Sequence, residues 1–278
     1  METYTEKLNE LQIQQLKEKY QNFISDKKIP YALFQIKLQD CTITVYDSKK
    51  VVYQGQNASL YLMNTLDDDE AGSDEVGTGD YFGPVSVCAV LVRKVDIPFL
   101  KELQVNDSKQ LNDEKIRQKA PLLMKQLTHS LLILDNVKYN RVHTTHNMNQ
   151  IKAKLHNQAY IHLKKKAGFL PQRCIVDQFA PKELYYRYLQ HEPLVIHDLI
   201  FETKAESKYL SVAAASMIAR YAFLCAWDKM EEHYQCTIPK GACEEVDRFA
   251  ASFLERYGYD ELSKIAKMHF KNTARLKK

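Results

Sequence analysis

The sequence lacks the features that mark exported, membrane-spanning or zinc-binding proteins. Its six cysteines are scattered, without a CxxC pair, which argues against zinc and favours reduced thiols in a cytosol. No apolar run approaches the ~20 residues that a membrane span needs. The N-terminal segment METYTEKLNE has no apolar core of the kind found in secretory signals. We therefore expect a cytoplasmic protein with no membrane partner.

The net charge is also small, and glycine and proline are few. Thirty-nine Lys+Arg against 35 Asp+Glu leave a charge of +4, and 278 residues include only 8 glycines and 8 prolines. With 45% hydrophobic residues, this composition excludes a disordered or collagen-like chain. Basic residues concentrate in 151–173 and 264–278, which contain no acid. Such patches attract polyanions, although charge alone favours ordinary solvated helix faces.

Hydrophobic patterns divide the chain into two units. An amphipathic helix over 4–28, followed by alternating strands at 31–38, 41–46 and 51–53 and a short helix near 58–66, predicts a small α+β domain. We place this domain at residues 1–66. An acidic linker follows at residues 67–71.

The second unit, residues 72–278, alternates strand-like and helical segments. This alternation predicts an α/β layer structure. Its most apolar segment, 211–227, is hydrophobic nearly all round, so we expect a buried helix there. The other predicted strands lie at 84–92, 130–137, 172–177 and 194–201, and the other predicted helices at 112–127 and 149–168.

The N-terminal strands combine an apolar face with a polar one. Gln35 and Lys37 alternate with apolar residues in the first strand, and Thr42 and Thr44 do so in the second. Such a sheet packs its apolar face on a helix and turns its polar face outward. A merely solvated face has the same pattern, so the pattern alone does not identify a binding surface.

Acidic residues stand at the ends of predicted elements in the second unit. Asp74 and Glu75 precede a glycine-rich turn, Asp177 ends a strand, and Glu206 precedes the buried helix. Carboxylates that converge from different elements repel one another, and a divalent cation would remove that repulsion. Oxygen ligands select Mg²⁺ or Mn²⁺ over zinc. For any one acid in isolation, an ordinary surface position is the simpler interpretation.

Six short segments form an ordered set. Residues 72–84 read GSDEVGTGDYFGP. The five that follow are 106–109 (NDSK), 174–177 (CIVD), 204–207 (KAES) with 211–216 (SVAAAS), 239–241 (PKG) and 269–273 (HFKNT). This set closely resembles the bacterial ribonuclease HIII family, a branch of the type 2 ribonucleases H. The resemblance spans residues 72–273, which is most of the chain.

The resemblance implies both a fold and an activity. The fold is an RNase H-like α/β catalytic domain, with a mixed sheet flanked by helices, preceded by a small α+β domain similar to the TATA-binding-protein fold. The activity is endonucleolytic hydrolysis of the RNA strand of RNA/DNA hybrids, leaving 3′-hydroxyl and 5′-phosphate ends. The implied cofactor is Mg²⁺ or Mn²⁺, with two ions during catalysis. We expect a monomer whose partner is the hybrid duplex.

The resemblance also implies residue roles. The catalytic and metal-binding quartet is Asp74, Glu75, Asp177 and Glu206. The related ribonuclease HII family has an aspartate at the fourth position, where Asp198 and Glu202 compete with Glu206. Gly77, Thr78 and Gly79 would read ribose 2′-hydroxyls. We expect phosphate contacts from Ser108, Lys109, Lys204, Ser207 and Lys208. The hybrid-facing N-terminal surface would comprise Tyr31, Gln35, Lys37, Thr42 and Thr44.

Two other functions stay open from the sequence. One is ribonuclease HII-like cleavage at single ribonucleotides embedded in DNA. Thr78, which stands where the HII family has an arginine, and the extra N-terminal domain argue against it. The other is nucleic-acid binding on an inactive nuclease scaffold. The four intact acids argue against that function.

Overall fold

Hydrophobic side chains gather around two different sheets, and the chain divides accordingly into residues 1–68 and 69–278. The computed structural model describes residues 2–27, 29–62, 69–105 and 112–276. The predicted phosphate contacts Ser108 and Lys109 lie outside the described residues, as do residues 67 and 68 of the predicted linker.

The N-terminal unit is a four-stranded antiparallel sheet with a helix on one face. The strand order is β1-β4-β3-β2. Helix α1 (Glu10–Lys19) begins at a capping box in which the Asn9 side chain accepts a hydrogen bond from the Gln12 amide at 2.9 Å. Its residue Leu16 joins the same buried cluster as Ile36 and Ile43. The strands are β1 (Glu2–Lys7), β2 (Ala32–Lys37), β3 (Cys41–Tyr46) and β4 (Lys50–Gly55).

The single helix predicted over 4–28 is wrong at both ends. The first residues form β1, in which Tyr4 pairs with Tyr53 of β4. The periodicity that suggested a helix there was weak, and pairing with a neighbouring strand satisfies the backbone instead. After α1, Gln21–Phe23 form one 3₁₀ turn. Of the short helix predicted near 58–66, the described part is a 3₁₀ turn at Ala58–Tyr61.

The polar residues of β2 and β3 lie opposite one another in the sheet. Gln35 pairs with Thr44 and Lys37 with Thr42, and the Gln35 amide donates a hydrogen bond to the Thr44 hydroxyl at 3.0 Å. Thr42 also pairs with Gln54 of β4, on its other side. Lys37 is exposed, whereas Thr44 is only 4% exposed. Neighbouring side chains therefore cover much of the Thr44 position on this face.

The larger unit is built on a five-stranded mixed sheet. The order is β7-β6-β5-β8-β9, with β6 antiparallel to β5 and β7, and with β8 parallel to β5 and β9. The strands are β5 (Glu70–Val76), β6 (Val85–Val92), β7 (Thr128–Leu134), β8 (Arg173–Asp177) and β9 (Ile200–Glu202). Because β5 begins at Glu70, the last two residues of the predicted linker belong to this sheet.

Helices cover both faces of the larger sheet. Every residue of β6 is buried, as expected for a strand between two helical layers. Helix α5 (Met148–Ala167) shares a core cluster with Val85, Val87 and Ala89. Helix α7 (Leu210–Tyr234) lies on the opposite face. At Gly72 an added Cβ would stand 2.4 Å from the Val212 amide nitrogen, so glycine permits the close approach of α7 to β5.

Helix α7 is the buried helix that the sequence predicts. It is long and apolar enough to cross a membrane by length and composition, but 72% of its most apolar window is buried inside the protein. It therefore behaves as the central helix of an α/β unit. The remaining helices are α2 (Ile97–Glu102), α3 (Asp113–Gln126), α4 (Asn136–His143), α6 (Lys182–Tyr188), α8 (Glu244–Ile265) and α9 (Lys271–Arg275).

The strand predicted over 194–201 is mostly wrong. Only Ile200–Glu202 form β9, which pairs with the end of β8. Upstream, the buried Asn157 side chain holds an irregular segment. Its amide donates to the Leu194 carbonyl at 2.8 Å and its oxygen accepts from the Ile196 amide at 2.9 Å. Side-chain hydrogen bonds replace the sheet ladder there.

Candidate active site

The adjacent acids of β5 turn to opposite faces of the sheet. Asp74 lies on the same side as Gly72, which faces α7, and accepts a hydrogen bond from Ser216 of that helix. Glu75 lies on the other side and contacts α5. This alternation is the ordinary geometry of a strand. The site therefore draws on both helical layers.

Asp74 is a buried carboxyl close to other acids. Only 8% of the residue is exposed. Burial, followed by the negative charges of Glu75 and Asp177, raises the pKa of Asp74 to about 8, against the opposing hydrogen bond from Ser216. Asp74 Oδ1 also accepts from the Glu75 amide at 2.7 Å. Without a cation nearby, this carboxyl keeps its proton at neutral pH.

Glu75 is held by two basic side chains of α5. Its Oε1 forms an ion pair with Lys152, and its Oε2 lies 2.8 Å from His156 Nε2. The other His156 nitrogen, Nδ1, lies 2.8 Å from the Ser73 hydroxyl, and the histidine is fully buried. Burial alone would raise the pKa of Glu75, but His156 and Lys152 outweigh it and hold that pKa below its usual value.

Asp177 ends β8 beside Asp74. Ser73 pairs with Val176, so Asp74 and Asp177 are the next residues along two parallel neighbouring strands. Asp177 Oδ1 accepts a hydrogen bond from the Ala205 amide at 2.7 Å. Burial raises the pKa of Asp177, and the charges of Glu206 and Glu75 add to that effect. The four predicted acids, which we call the carboxylate cluster, thus influence one another electrostatically.

The donor chemistry of the carboxylate cluster fits Mg²⁺ or Mn²⁺. Its donors are hard carboxylate oxygens, and burial, followed by mutual repulsion, raises the pKa of two members. A divalent cation relieves such repulsion. Among the residues that the structure describes, however, no three acidic, histidine or cysteine side chains already surround one point. Asp74 is bonded to Ser216 instead, and Glu75 to Lys152 and His156.

The glycine-rich segment 77–84, here called the recognition loop, leads from β5 to β6. Gly77 has φ +92°, and an added Cβ would stand 2.9 Å from the Phe223 ring, so the fold itself requires glycine there. Gly79 is exposed, and a Cβ would meet nothing within 4 Å. Packing within the protein therefore does not require glycine at position 79.

Two of the segments that carry the family resemblance anchor this loop. The Tyr81 amide donates to the Gly241 carbonyl at 2.8 Å, and the Gly241 amide donates to the Asp80 carboxylate at 2.7 Å. The Tyr81 hydroxyl lies 2.9 Å from that of Thr273. Segments 239–241 and 269–273 therefore hold the loop in place through hydrogen bonds.

The remaining predicted contacts cluster around the 3₁₀ turn Ala205–Ser207. Lys204, with φ 55°, and Lys208 are exposed. The Ser207 hydroxyl donates to the Lys204 carbonyl at 2.8 Å, and the Lys208 ammonium donates to Glu202 at 2.6 Å. Glu202, a competitor for the fourth acid, is thus paired with a lysine. The other competitor, Asp198, is exposed.

Sequence reasoning missed three polar side chains that contact the acids. Lys152 and His156 are four residues apart and share one face of α5, and both are buried. Their spacing on a helix expected to cover the sheet was the available signal. Ser216 lies within the matched segment 211–216, yet nothing in its own chemistry singles it out.

Comparison with known proteins places these features in a family. A family model described as Ribonuclease HII matches residues 71–273, and a model described as Domain of unknown function (DUF3378) matches residues 5–63. Ribonuclease HIII of Listeria monocytogenes serovar 1/2a is 42% identical, over 94% of this chain and 93% of the relative. The chain belongs to the ribonuclease HIII family. The Bacillus subtilis family member is 39% identical, over 94% and 92% of the two chains.

Solved structures agree with this membership. The crystal structure of Bst-RNase HIII in complex with Mn²⁺ matches with a TM-score of 0.74 and 36% identity, over 99% of this chain and 98% of that one. Aquifex aeolicus RNase H3, at 23% identity and a TM-score of 0.60, shares the fold. The chain is accordingly a ribonuclease H, an endonuclease that acts on RNA/DNA hybrids with Mg²⁺ or Mn²⁺ as cofactor.

The pKa of Asp74 predicts an unusual pH dependence of stability in chelator. The folded protein keeps the Asp74 proton up to a pKa of about 8, whereas the unfolded chain releases it near pH ~4. The folded state therefore binds more protons between these values, and its free energy of unfolding falls as pH rises through this window. Asp74→Asn has no titrating carboxyl at this position and so avoids the loss of stability at high pH. We therefore expect its Tm at pH 8 to exceed the wild-type value by at least ~3 °C.

Thermal unfolding between pH 4 and 9, followed by circular dichroism in EDTA, measures this effect. Asp198→Asn is the matched control, because it makes the same exchange at an exposed acid and should leave the pH profile unchanged. Parallel profiles for wild type and Asp74→Asn would contradict the assignment of a raised pKa to Asp74.

Proposed function

We propose that this ribonuclease H cleaves the RNA strand of continuous hybrids at the carboxylate cluster, leaving 3′-hydroxyl and 5′-phosphate ends. The observation that carries the proposal is the electrostatic coupling of Asp74, Glu75, Asp177 and Glu206 at one end of the sheet. These four carboxylates would hold the divalent ions, two during catalysis. Bound there, the metal supplies activation of a water and stabilisation of the leaving oxygen.

The chain's own residues prepare this chemistry. When a cation binds, Asp74 would release to solvent the proton that burial and the neighbouring acids otherwise retain. Lys152 and His156 keep Glu75 ionised and fix its direction. The Ala205 amide does the same for Asp177. Because their donors lie on helices, a turn and a strand, Asp74, Glu75 and Asp177 are oriented before the substrate arrives.

The recognition loop supplies selectivity for RNA. Gly79 and the half-buried Thr78 lie directly after the strand that carries Asp74 and Glu75. An exposed backbone with no side chain at Gly79 gives its N–H and C=O groups access to a ligand. The ribose 2′-hydroxyl donates and accepts hydrogen bonds, and it distinguishes RNA from DNA. Lys109, Lys204 and Lys208, with Ser108 and Ser207, would contact phosphates.

Cleavage assays with two labelled substrates test the function. We expect Mg²⁺- or Mn²⁺-dependent cutting of a continuous RNA/DNA hybrid at several sites, while a DNA duplex with one ribonucleotide stays intact and chelator stops the reaction. Asp177→Asn should lower kcat at least ~10³-fold and leave hybrid affinity within ~3-fold, since it removes a metal ligand rather than a binding surface.

The same exchange at Asp198, Asp198→Asn, is the control and should retain wild-type turnover. Cutting at the lone ribonucleotide would assign the chain an HII-like specificity. Binding of the hybrid without any metal-dependent cleavage would leave only the nucleic-acid-binding function.

Gly79→Ala separates recognition from folding. A methyl group at Gly79 enters open space, so we expect the free energy of unfolding to change by less than ~1 kcal/mol. The same methyl group obstructs close approach of the ribose, so KM for the hybrid should rise ~10-fold or more. Gly77→Ala should instead destabilise the fold. Its methyl group would clash with the Phe223 ring, and Gly77 has a positive φ that alanine rarely adopts. Unchanged KM in Gly79→Ala would remove this residue from recognition.

We also propose that the N-terminal unit binds the hybrid through the polar face of its sheet. Lys37 is exposed on that face, in register with Thr42 and Gln54. The opposite face packs on α1 and is therefore closed to a duplex. The half-buried Gln35 and Thr42 border the same surface, and Tyr31, 81% exposed, lies just before it.

Charge reversal tests this surface. Lys37→Glu should raise KM for the hybrid ~5-fold or more at low salt, with kcat little changed, because it replaces an attraction to phosphate by a repulsion. Lys17→Glu makes the same change on α1, on the other side of the sheet. Equal KM values for the two variants would show that the polar face has no special part in binding.

The enzyme's setting is proposed on simpler grounds. All four carboxylates of the cluster come from one chain, so a monomer contains a whole site. The cysteines of the described residues are free, and Cys41, Cys88 and Cys174 are buried. Unpaired thiols favour a reducing compartment, which supports a cytoplasmic location.

A further inference from the structure

Lys267 is a buried lysine whose ammonium contacts the recognition loop from inside the protein. The residue is fully buried. Its Nζ donates hydrogen bonds to three carbonyl oxygens, those of Asp80 at 2.8 Å, Phe82 at 3.1 Å and Gly83 at 2.5 Å. An ammonium group has three donors, so the whole hydrogen-bonding capacity of Lys267 is directed at one loop.

The backbone around Lys267 reinforces the same contact. The Lys267 amide donates to the Tyr81 carbonyl at 2.8 Å, and the Gly83 amide donates to the Ile265 carbonyl at 2.8 Å. Phe82 and Ala266 form an isolated antiparallel bridge. Residues 265–267 therefore act as a short strand beside the loop, and the Lys267 side chain closes the arrangement.

Lysine is a costly residue at this buried position. Removing an ammonium from water is costly, and burial lowers the pKa of Lys267 to about 7. An apolar side chain of similar length would avoid that cost but would remove the donor from three carbonyl oxygens. In return, the lysine fixes the direction of three carbonyl groups.

We propose that Lys267 is a positioning residue for hybrid recognition, which orients the recognition loop by binding the carbonyls of residues 80, 82 and 83. The inference rests on the proposed function of that loop. Peptide planes fixed at 80–84 leave few conformations for Thr78 and Gly79, which lie immediately upstream. Lys267 itself touches no substrate in this scheme.

Lys267→Met tests the proposal, because methionine keeps a similar length and removes the donors. Lys267→Gln is the second variant, since its amide can still donate to a carbonyl. We expect KM for a continuous hybrid to rise ~10-fold or more in Lys267→Met and less in Lys267→Gln. Turnover should stay within ~3-fold of wild type in both, because the carboxylate cluster is unchanged.

Asn157→Leu is the matched control. Asn157 is also a buried side chain that bonds two backbone groups of a loop, at Leu194 and Ile196, but it does not touch the recognition loop. It should lower Tm without raising KM. A merely structural role for Lys267 would give the same pattern as this control.

A double-mutant cycle adds a second readout. Hybrid Kd is measured by fluorescence anisotropy in the cleavage-deficient Asp177→Asn background. If Lys267 acts through the loop, combining Lys267→Met with Gly79→Ala should weaken binding by clearly less than the product of the two separate effects. Fully multiplicative effects would contradict action through the loop.

The outcomes separate the two levels of inference. Wild-type protein that does not cleave hybrids would overturn the proposed function. Wild-type cleavage with unchanged KM in a folded Lys267→Met variant would overturn only the role of Lys267. If both Lys267 variants fail to fold while Asn157→Leu folds, Lys267 is a folding residue and the positioning role is also overturned.

Discussion

Repulsion between carboxylates at one end of a buried sheet is the constraint on which the catalytic unit depends. Parallel pairing of β5 with β8 brings Asp74 and Asp177 together, and strand alternation sends Glu75 to the other face. Each acid is then stabilised by a donor from a different element: Ser216, the Lys152–His156 pair, or the Ala205 amide. The two helical layers therefore contribute side chains to the candidate site and also bury it.

The sequence predicted the elements whose patterns are local. Strands β2, β3, β6 and β8 and helices α3, α5 and α7 lie close to their predicted positions, because alternation and helical periodicity depend only on neighbouring residues. The edge strand β1 was mistaken for a helix because its partner β4 lies more than forty residues away. The irregular segment before β9 depends similarly on the distant Asn157.

The sequence singled out the acids of the candidate site but not the basic side chains that contact them. Carboxylates at strand ends are conspicuous, whereas Lys152 and His156 resemble the solvated face of a basic helix. Both are buried and contact Glu75, which is about eighty positions away. The loop glycines show a related limit, since only the fold reveals that Gly77 is required by Phe223 and that Gly79 faces open space.

The anchorage of the recognition loop has a consequence for the order of biosynthesis. The loop and the lysine that binds it are separated by about 185 residues. A ribosome must therefore translate nearly the whole catalytic unit before Asp80, Phe82 and Gly83 find their ammonium donor. The strands that carry the acids emerge much earlier. On a nascent chain, all four acids of the carboxylate cluster are therefore synthesised before the lysine that holds residues 80–83 in place.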